Sequence, residues 1–177
     1  MWTRCVEVLN SFFSSVFTEE NLNSIPDIPD YYIGNNPIKT VLFTEEKVKE
    51  KIMNWSARSA PGPDEITPRL LQAVVNEISE PLALLFEKSM QEGKVPEEWK
   101  TANVSPIYKK GTKANPTNYR PISLTCIACR IMESIIKDEI VAHLRENNLD
   151  LRENFERRNV QLQRLLTRDL IINTSLC

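Results

Sequence analysis

Apolar residues recur at the three- to four-residue spacing of an amphipathic helix in several stretches of the chain. Thr44 and Thr67 each precede such a stretch and are suited to cap a helix, and Pro68 fits the first helical position. We expect the pattern to restart at 79–81 and to end at Gly93, because glycine readily adopts a left-handed conformation. The apolar positions of these predicted helices are Val8, Phe12, Phe13 and Val16, then Val48, Ile52 and Trp55, then Leu70, Leu71, Val74, Val75 and Ile78, and finally Leu82, Leu85, Phe86 and Met90.

Residues 101–108 alternate between apolar and polar like a short strand, and Pro106 confines that strand to an edge or a bulge. The chain then passes through a turn-rich segment, the hairpin tip (residues 109–118), and returns through 119–124, which predicts a two-stranded hairpin. The next stretch, 125–148, is the strongest predicted helix. Its broad apolar face comprises Ile127, Ile131, Ile135, Ile136, Ile140, Val141 and Leu144.

These elements predict an α+β chain that is mostly helical, with one short β-hairpin. We divide the chain into an N-terminal helix in 1–20, a loop or linker in 21–43, a main unit in 44–149 and a tail in 150–177. The linker is assigned because prolines, a glycine and several asparagines cluster between 21 and 43.

Composition and charge narrow the classes of function. The chain has 177 residues, of which 41% are hydrophobic and 26% charged, as in globular proteins. Its net charge of −2 excludes a generally basic nucleic-acid coat, so any contact with phosphates must come from a local patch. No stretch approaches the roughly 18 apolar residues of a membrane helix, and the N-terminal stretch does not resemble a signal peptide. We therefore expect a cytoplasmic or nuclear protein that is neither secreted nor bound to a membrane.

Four cysteines are present, and without a secretory signal a disulfide framework is not expected. Cys126 and Cys129 form a C-x-x-C motif. A redox role would need an exposed first cysteine in an electropositive setting at a helix start, and a zinc role would need a second pair of ligands, for which the lone His143 is a poor substitute. We favour a simpler interpretation, in which both cysteines are small apolar residues near the start of a helix.

Positive charge is concentrated in the predicted hairpin. The segment 102–124 contains Lys109, Lys110, Lys113 and Arg120 and no carboxylate. Such a tip could bind phosphate groups, or it could be a solvated turn whose lysines keep a strand edge from aggregating. Composition alone favours the solvated turn.

Several separated motifs occur in a characteristic order. They are SAPGPDEITPRLL, PLALLFEKSMQEGKVPEEWKTANVSPIYKKG and NYRPISLTCIACRIMESIIKDEIVAHL. Together they resemble the reverse transcriptases of non-LTR, LINE-type retrotransposons, most closely the jockey and CR1-like branch. The sequence EVLNSFFSSVFTEENL resembles the segment that precedes the polymerase in those elements. The resemblance extends from about residue 5 to about residue 149.

This resemblance implies the fingers part of a right-hand polymerase, namely an N-terminal extension, the fingers hairpin and the first long helix, with the palm missing. In the family, a lysine of the strand-turn and the arginine of the Arg-Pro-Ile sequence reach the triphosphate of the incoming nucleotide. By motif match these roles fall to Lys109, flanked by Lys110, and to Arg120. With this context, phosphate binding becomes the favoured interpretation of the hairpin tip.

The glycine-proline turn of the family lies near the template entry, so Gly62, Pro63 and Asp64 are the implied template-side residues. The family usually has a glycine where this chain has Glu65. If that position needs a positive φ, glutamate costs about 1 kcal/mol there. A carboxylate at this place would also repel a template phosphate.

Polymerisation by the family implies two metal ions held by closely placed carboxylates. The family supplies them from an aspartate at the start of the palm and from an adjacent aspartate pair in a later hairpin. No two aspartates of this chain are adjacent; they are Asp27, Asp30, Asp64, Asp138, Asp150 and Asp169. We therefore expect no catalytic and no metal-binding residue and no cofactor in this chain, whereas the intact family enzyme is expected to use Mg²⁺.

Three hypotheses of function follow. The first is a fragment of a retrotransposon RNA-directed DNA polymerase whose fingers contact nucleotide and template but which is inactive alone. The second is a module that binds RNA or an RNA–DNA template–primer weakly, with Tyr108 and Tyr119 stacking on bases. The third is a helical remnant without a selected function, whose exposed isoleucine-rich helix face would allow self-association.

Overall fold

Five α-helices and a small sheet form the described part of the chain. The computed structural model describes residues 2–16, 40–146 and 174–175. The helices are α1 (Trp2–Ser15), α2 (Glu45–Asn54), α3 (Pro68–Ala73), α4 (Val75–Glu92) and α5 (Ile127–Glu146), and the strands are β1 (Ala102–Tyr108), β2 (Tyr119–Leu124) and β3 (Thr174–Ser175). Short 3-10 turns occupy Glu97–Lys100 and Pro116–Asn118. The predicted α+β composition, mostly helical with one hairpin, is confirmed.

Two threonines begin helices as the sequence predicts. Thr44 has an extended backbone, and its hydroxyl oxygen accepts a hydrogen bond from the Lys47 N–H at 3.3 Å. Thr67 accepts from the Leu70 N–H at 3.3 Å, and Pro68 is the first residue of α3. Each threonine satisfies a backbone donor that the helix itself leaves without a partner, which fixes where α2 and α3 start.

The break between α3 and α4 lies earlier than the sequence predicts. It falls at Val74, with φ −113° and ψ 25°, and α4 then continues through Pro81 to end at Gly93, whose φ of 62° is left-handed. The expected restart at 79–81 is therefore wrong, whereas the end at Gly93 is confirmed. Pro81 lies on the exposed side of α4, while Ser79 and other residues of the opposite side are buried. Packing of the buried side outweighs the local preference of proline to end a helix.

The predicted hairpin is present as the antiparallel pair of β1 and β2, and its register accommodates two prolines. Pro106 lies directly opposite Pro121. The Lys109 N–H donates to the Asn118 carbonyl at 2.8 Å, which makes these two residues a hydrogen-bonded pair. Hydrogen-bonded and non-hydrogen-bonded pairs alternate along an antiparallel ladder, so the two prolines form a non-hydrogen-bonded pair. The prolines thus remove no hydrogen bond between β1 and β2. On the other side of β1, β3 pairs only with residues 102 and 103, so Pro106 occupies an open edge among the described residues, as expected.

The hydrophobic core lies where α2 packs against α4 and α5. Its centre is aromatic: the ring centroid of Phe86 is 5.6 Å from that of Phe43 and 5.7 Å from that of Trp99, both in edge-on geometry. Gln72 of α3 donates from Nε2 to the Trp55 carbonyl at 2.9 Å and so ties α3 to the end of α2. Further buried members of the core are Val48, Ile52, Leu71, Val75, Leu82, Ala83, Cys126, Ile127, Cys129, Ile131, Met132 and Ile135.

The apolar face of α5 is not exposed in the way that the sequence led us to expect. Ile127, Ile131 and Ile135 are buried in the core, and the later apolar residues of this face are half-buried. The exposed large hydrophobic side chains among the described residues belong to other elements, Leu84 of α4 and Ile107 of β1 among them. The face is covered because α2 packs on it within the same chain, so the described residues give no support for self-association through α5.

Two predicted segments lie mostly outside the described residues. The linker at 21–43 is described only from residue 40, and the tail at 150–177 only at β3. The three boundaries between the four predicted segments therefore remain predictions. Within the described ranges, none of the helices is both long enough and apolar enough to cross a membrane.

Replacing Phe86 with alanine tests whether the aromatic centre holds the helices together. Phe86 is fully buried between two other rings, so we expect Phe86→Ala to lower the free energy of unfolding by about 3–5 kcal/mol. Urea denaturation followed by circular dichroism measures this change. Leu84→Ala is the matched control on the same helix; its side chain is 66% exposed, and we expect a change within about 0.5 kcal/mol. Equal losses in the two variants would contradict the assignment of this core.

Candidate functional site

The hairpin tip is closely hydrogen-bonded by its own side chains. Asn115 Oδ1 accepts from the N–H and from the hydroxyl of Thr117, at 3.0 and 2.8 Å, and Asn118 Nδ2 donates to the Thr112 carbonyl at 2.9 Å. Gly111 has a φ of 95°, and a Cβ added there would lie 2.6 Å from the Asn118 amide nitrogen. Helix α1 also contacts the 3-10 turn of the tip. The tip is therefore held in a defined conformation by asparagines and a glycine, the residues that suit tight turns.

The strand register places two of the predicted cations on one face of the hairpin. Arg120 lies directly opposite Ile107, so these two side chains share a face. Lys109 follows Ile107 by two residues, and its N–H still donates to the Asn118 carbonyl, so the alternation assigns Lys109 to that face as well. Lys110 is one residue further along, in the tip.

The positive charge of this face is not neutralised by the hairpin. Lys109, Lys110 and Arg120 are all exposed, and the segment 102–124 has no carboxylate. The ion pairs found among the described residues join other charges, for example Lys47 with Glu139 at 2.7 Å. We call Lys109, Lys110 and Arg120 the cationic triad. Its charge is directed to solvent, where an anionic ligand can reach it.

Tyr108 and Tyr119 support the hairpin tip. They lie opposite each other in the ladder, with ring centroids 5.6 Å apart in edge-on geometry. The Tyr108 hydroxyl donates to the Gly111 carbonyl, and the Tyr119 hydroxyl donates to the Lys113 carbonyl at 2.9 Å. Lys113 Nζ also lies 5.9 Å from the centroid of the Tyr108 ring, in cation–π geometry. Both rings thus brace the loop that carries the lysines, and their stacking on bases remains a prediction.

The second predicted site, the turn at 62–65, has a strained residue. The Glu65 N–H donates to the Gly62 carbonyl at 3.1 Å, and Asp64 Oδ1 accepts from the Ile66 N–H at 3.3 Å. Glu65 has a φ of 57°, and it is the only non-glycine residue with a positive φ in the described part of the chain. The conditional expectation for this position is therefore confirmed: glutamate adopts a conformation that costs a side chain about 1–2 kcal/mol and that glycine adopts freely.

Gly62 lies against the junction of β2 and α5. A Cβ added to Gly62 would lie 2.5 Å from the backbone nitrogen of Cys126 and 2.6 Å from the carbonyl carbon of Thr125. These are backbone atoms that cannot rotate away, so only glycine permits the contact. Gly62 is buried, whereas Pro63 and Asp64 are exposed. Of the three predicted template-side residues, one is a packing residue and two face solvent.

Arg130 fastens this turn to α5, although the sequence analysis did not single it out. Its Nη2 donates to the Ala60 carbonyl at 2.6 Å, and its guanidinium carbon lies 6.0 Å from the centroid of the Trp55 ring. Burial lowers the pKa of Arg130, while nearby groups such as Asp64 oppose this effect. In the sequence Arg130 is one of three lysine or arginine residues on the predicted helix at 125–148. Only the fold brings it next to a residue 70 positions earlier.

Cys126 and Cys129 lie at the start of α5, and both are buried, with exposed fractions of 2% and 4%. Cys126 Sγ accepts the Cys129 N–H at 3.4 Å, and Cys129 Sγ lies 3.6 Å from Glu133 Oε1. Interaction with the Cys129 thiol lowers the pKa of Cys126, and interaction with Cys126 together with burial raises the pKa of Cys129. The burial agrees with the simpler interpretation of the motif. No group of three histidine, cysteine or acidic side chains within the described ranges is arranged to hold a metal ion.

Comparison with known proteins shows that the chain is similar to polymerases of retrotransposons. The chain is 32% identical over 99 residues to the RNA-directed DNA polymerase from mobile element jockey of Drosophila melanogaster, which is 55% of this chain and 11% of that protein. It is 28% identical over 124 residues to the retrovirus-related Pol polyprotein from type-1 retrotransposable element R1 of Bradysia coprophila, 69% of this chain and 12% of that protein. A third relative, described as the probable RNA-directed DNA polymerase from transposon BS of Drosophila melanogaster, is 25% identical over 136 residues, 76% of this chain and 15% of that protein. No protein-family model matches the chain.

The relationship inferred from the motifs is thereby confirmed. The chain is similar to RNA-directed DNA polymerases of non-LTR retrotransposons over much of its length. It spans less than a sixth of the length of the curated relatives it matches, the largest share quoted above being 15%. The similarity therefore concerns one part of those proteins.

Replacing Glu65 with glycine tests the strain in the turn. Because Glu65 has a positive φ, we expect Glu65→Gly to raise the free energy of unfolding by about 1 kcal/mol, measured by urea denaturation. Glu65→Ala is the matched control: it removes the carboxylate and keeps a Cβ, so its stability should stay within about 0.5 kcal/mol of the native chain. If alanine stabilised the chain as much as glycine, the effect would come from the charge and not from the backbone.

Proposed function

We propose that the hairpin tip binds the phosphates of nucleotide and template as the fingers part of a retrotransposon reverse transcriptase. The observation that carries this proposal is the shared, exposed face of Lys109 and Arg120 in a segment without carboxylates. The similarity to RNA-directed DNA polymerases supports the same ligand, because an RNA-directed DNA polymerase acts on a nucleic-acid template.

The two side chains suit two kinds of phosphate contact. A lysine supplies a mobile point charge, and an arginine supplies a rigid fork that can hold two phosphate oxygens at once. The asparagines and Gly111 hold the loop in place beforehand, so less conformational entropy is lost when a ligand binds. Phosphoryl transfer depends mainly on such positioning and on positive charge near the phosphate oxygens.

We further propose that this chain alone does not polymerise DNA. Support comes from the spacing of its aspartates, none of which are adjacent in the sequence. The described residues also do not group carboxylates in a way that fits the Mg²⁺ ions expected for the family, so no step of the proposal involves the ion.

Binding to a labelled RNA–DNA template–primer, measured by fluorescence anisotropy across a salt series, tests the first proposal. We expect weak binding by the native chain. In the triple variant Lys109→Ala, Lys110→Ala and Arg120→Ala, we expect lower affinity and a salt slope (log affinity against log salt) that is shallower by about 2 for three lost phosphate contacts.

A second triple variant controls for the change in net charge. Arg58→Ala, Lys88→Ala and Lys94→Ala removes one arginine and two lysines that are exposed and lie outside the hairpin. We expect its affinity and salt slope to stay close to those of the native chain. If the two triple variants weakened binding equally, the loss of overall positive charge would be the cause. The absence of any binding by the native chain would refute the proposal.

Primer extension tests the second proposal. With Mg²⁺ and all four deoxynucleotides, we expect the purified chain to leave the primer at its original length. Extension that persists in repeated preparations and disappears in the Lys109→Ala, Lys110→Ala and Arg120→Ala variant would show that the chain is catalytic and that the proposal is wrong.

A further inference from the structure

The C-x-x-C motif lies beneath the strained turn at the start of α5. Gly62 touches the backbone of Cys126, whose exposed fraction is 2%. The hydrogen bond from Arg130 to the Ala60 carbonyl ties this segment to α5, whereas the hydrogen bond from the Glu65 N–H to the Gly62 carbonyl lies within the turn. Glu65 works against closure because its φ is positive. A short, strained and largely exposed turn belongs to the parts of a protein that open without global unfolding.

The setting of Cys126 differs from that of an inert core cysteine. Its sulfur accepts the Cys129 N–H at the positive end of α5, and Arg130 follows one turn later. Interaction with the Cys129 thiol lowers the pKa of Cys126, whereas the pKa of Cys129 is raised. Asp64 and Glu133 also lie near the pair and oppose its ionisation. The position of the Cys126 sulfur at the start of α5 thus favours Cys126 as the thiol that reacts first.

We propose that Cys126 and Cys129 are a modification site, a dithiol covered by the turn at 62–65. When the turn opens, the dithiol reacts with a low-molecular-weight disulfide, and the two cysteines then form an intramolecular disulfide bond. The Cys126 sulfur lies 3.4 Å from the backbone nitrogen of Cys129, so the two cysteines are direct neighbours at the start of α5. The proposal is independent of nucleic-acid binding by the hairpin tip.

The chemistry is ordinary thiol–disulfide exchange. The Cys126 thiolate attacks one sulfur of the small disulfide, a mixed disulfide forms on Cys126, and one molecule of the small thiol leaves. Cys129 then gives up its proton and attacks the Cys126 sulfur, which releases the second molecule of small thiol. In total, the two protein thiols are oxidised to one disulfide, and one small disulfide is reduced to two thiols.

The test uses the whole chain with Cys5→Ser and Cys177→Ser, so that only the motif can react. After incubation with oxidised glutathione, intact mass spectrometry should show the loss of two hydrogens, and both cysteines should resist alkylation after denaturation. With Cys129→Ser added, the mixed disulfide with glutathione should accumulate instead. With Cys126→Ser added, which keeps a capping oxygen, the chain should stay unmodified.

Two variants test the cover itself through the rate of thiol labelling by an aromatic disulfide reagent. Arg130→Ala removes a charge-assisted hydrogen bond and should speed labelling of Cys126 by about tenfold. Glu65→Gly relieves the strain and should slow labelling several-fold. Arg130→Lys keeps the charge and should fall between the native chain and Arg130→Ala.

A core variant separates opening of the turn from global unfolding. Leu82→Ala weakens the core on α4 and removes none of the hydrogen bonds of the turn, so it should leave the labelling rate close to native. If Leu82→Ala sped labelling as much as Arg130→Ala, the thiols would become accessible only by global unfolding, and the proposal would be wrong. Failure to form the intramolecular disulfide even in Arg130→Ala would equally overturn it.

Discussion

The backbone contact between Gly62 and the Thr125–Cys126 junction is the constraint on which the predicted site region depends. It joins the turn that precedes α3 to the point where β2 ends and α5 begins. No side chain fits at this contact, because a Cβ would lie 2.5 Å from a backbone nitrogen. The contact therefore fixes the place of the turn, the burial of Cys126 and the reach of Arg130 to Ala60.

The two ends of β2 serve different purposes. At one end the strand leads from the hairpin tip, where asparagines, Gly111 and a pair of tyrosines hold the loop that carries the cationic triad. At the other end it leads into the packed junction under Gly62. A strand of six residues spans about 20 Å, so an exposed charged surface and a buried contact can share one short element without interfering.

The turn at 62–65 shows how similarity and structure complement each other. The resemblance of the motifs led us to expect a glycine at the position of Glu65, but it gave no structural reason. The structure supplies one, since the backbone there has a φ of 57°. Gly62 of the same turn touches the backbone of Cys126, the first residue of the C-x-x-C motif. The strained residue Glu65 therefore lies close in sequence to a contact in which no Cβ fits.

The sequence by itself determined the local elements. Caps at Thr44 and Thr67, the end at Gly93 and the alternation of β1 are local signals, because each depends on hydrogen bonds or side-chain periodicity within a few residues. The cationic triad was also found from sequence, since its members lie in one short segment. The tertiary structure decided the rest: the helix break moved from 79–81 to Val74, the isoleucine face of α5 became buried under α2, and Arg130 met Ala60. These outcomes depend on packing between residues far apart in the chain, and such packing outweighs local preference when a large apolar surface is buried.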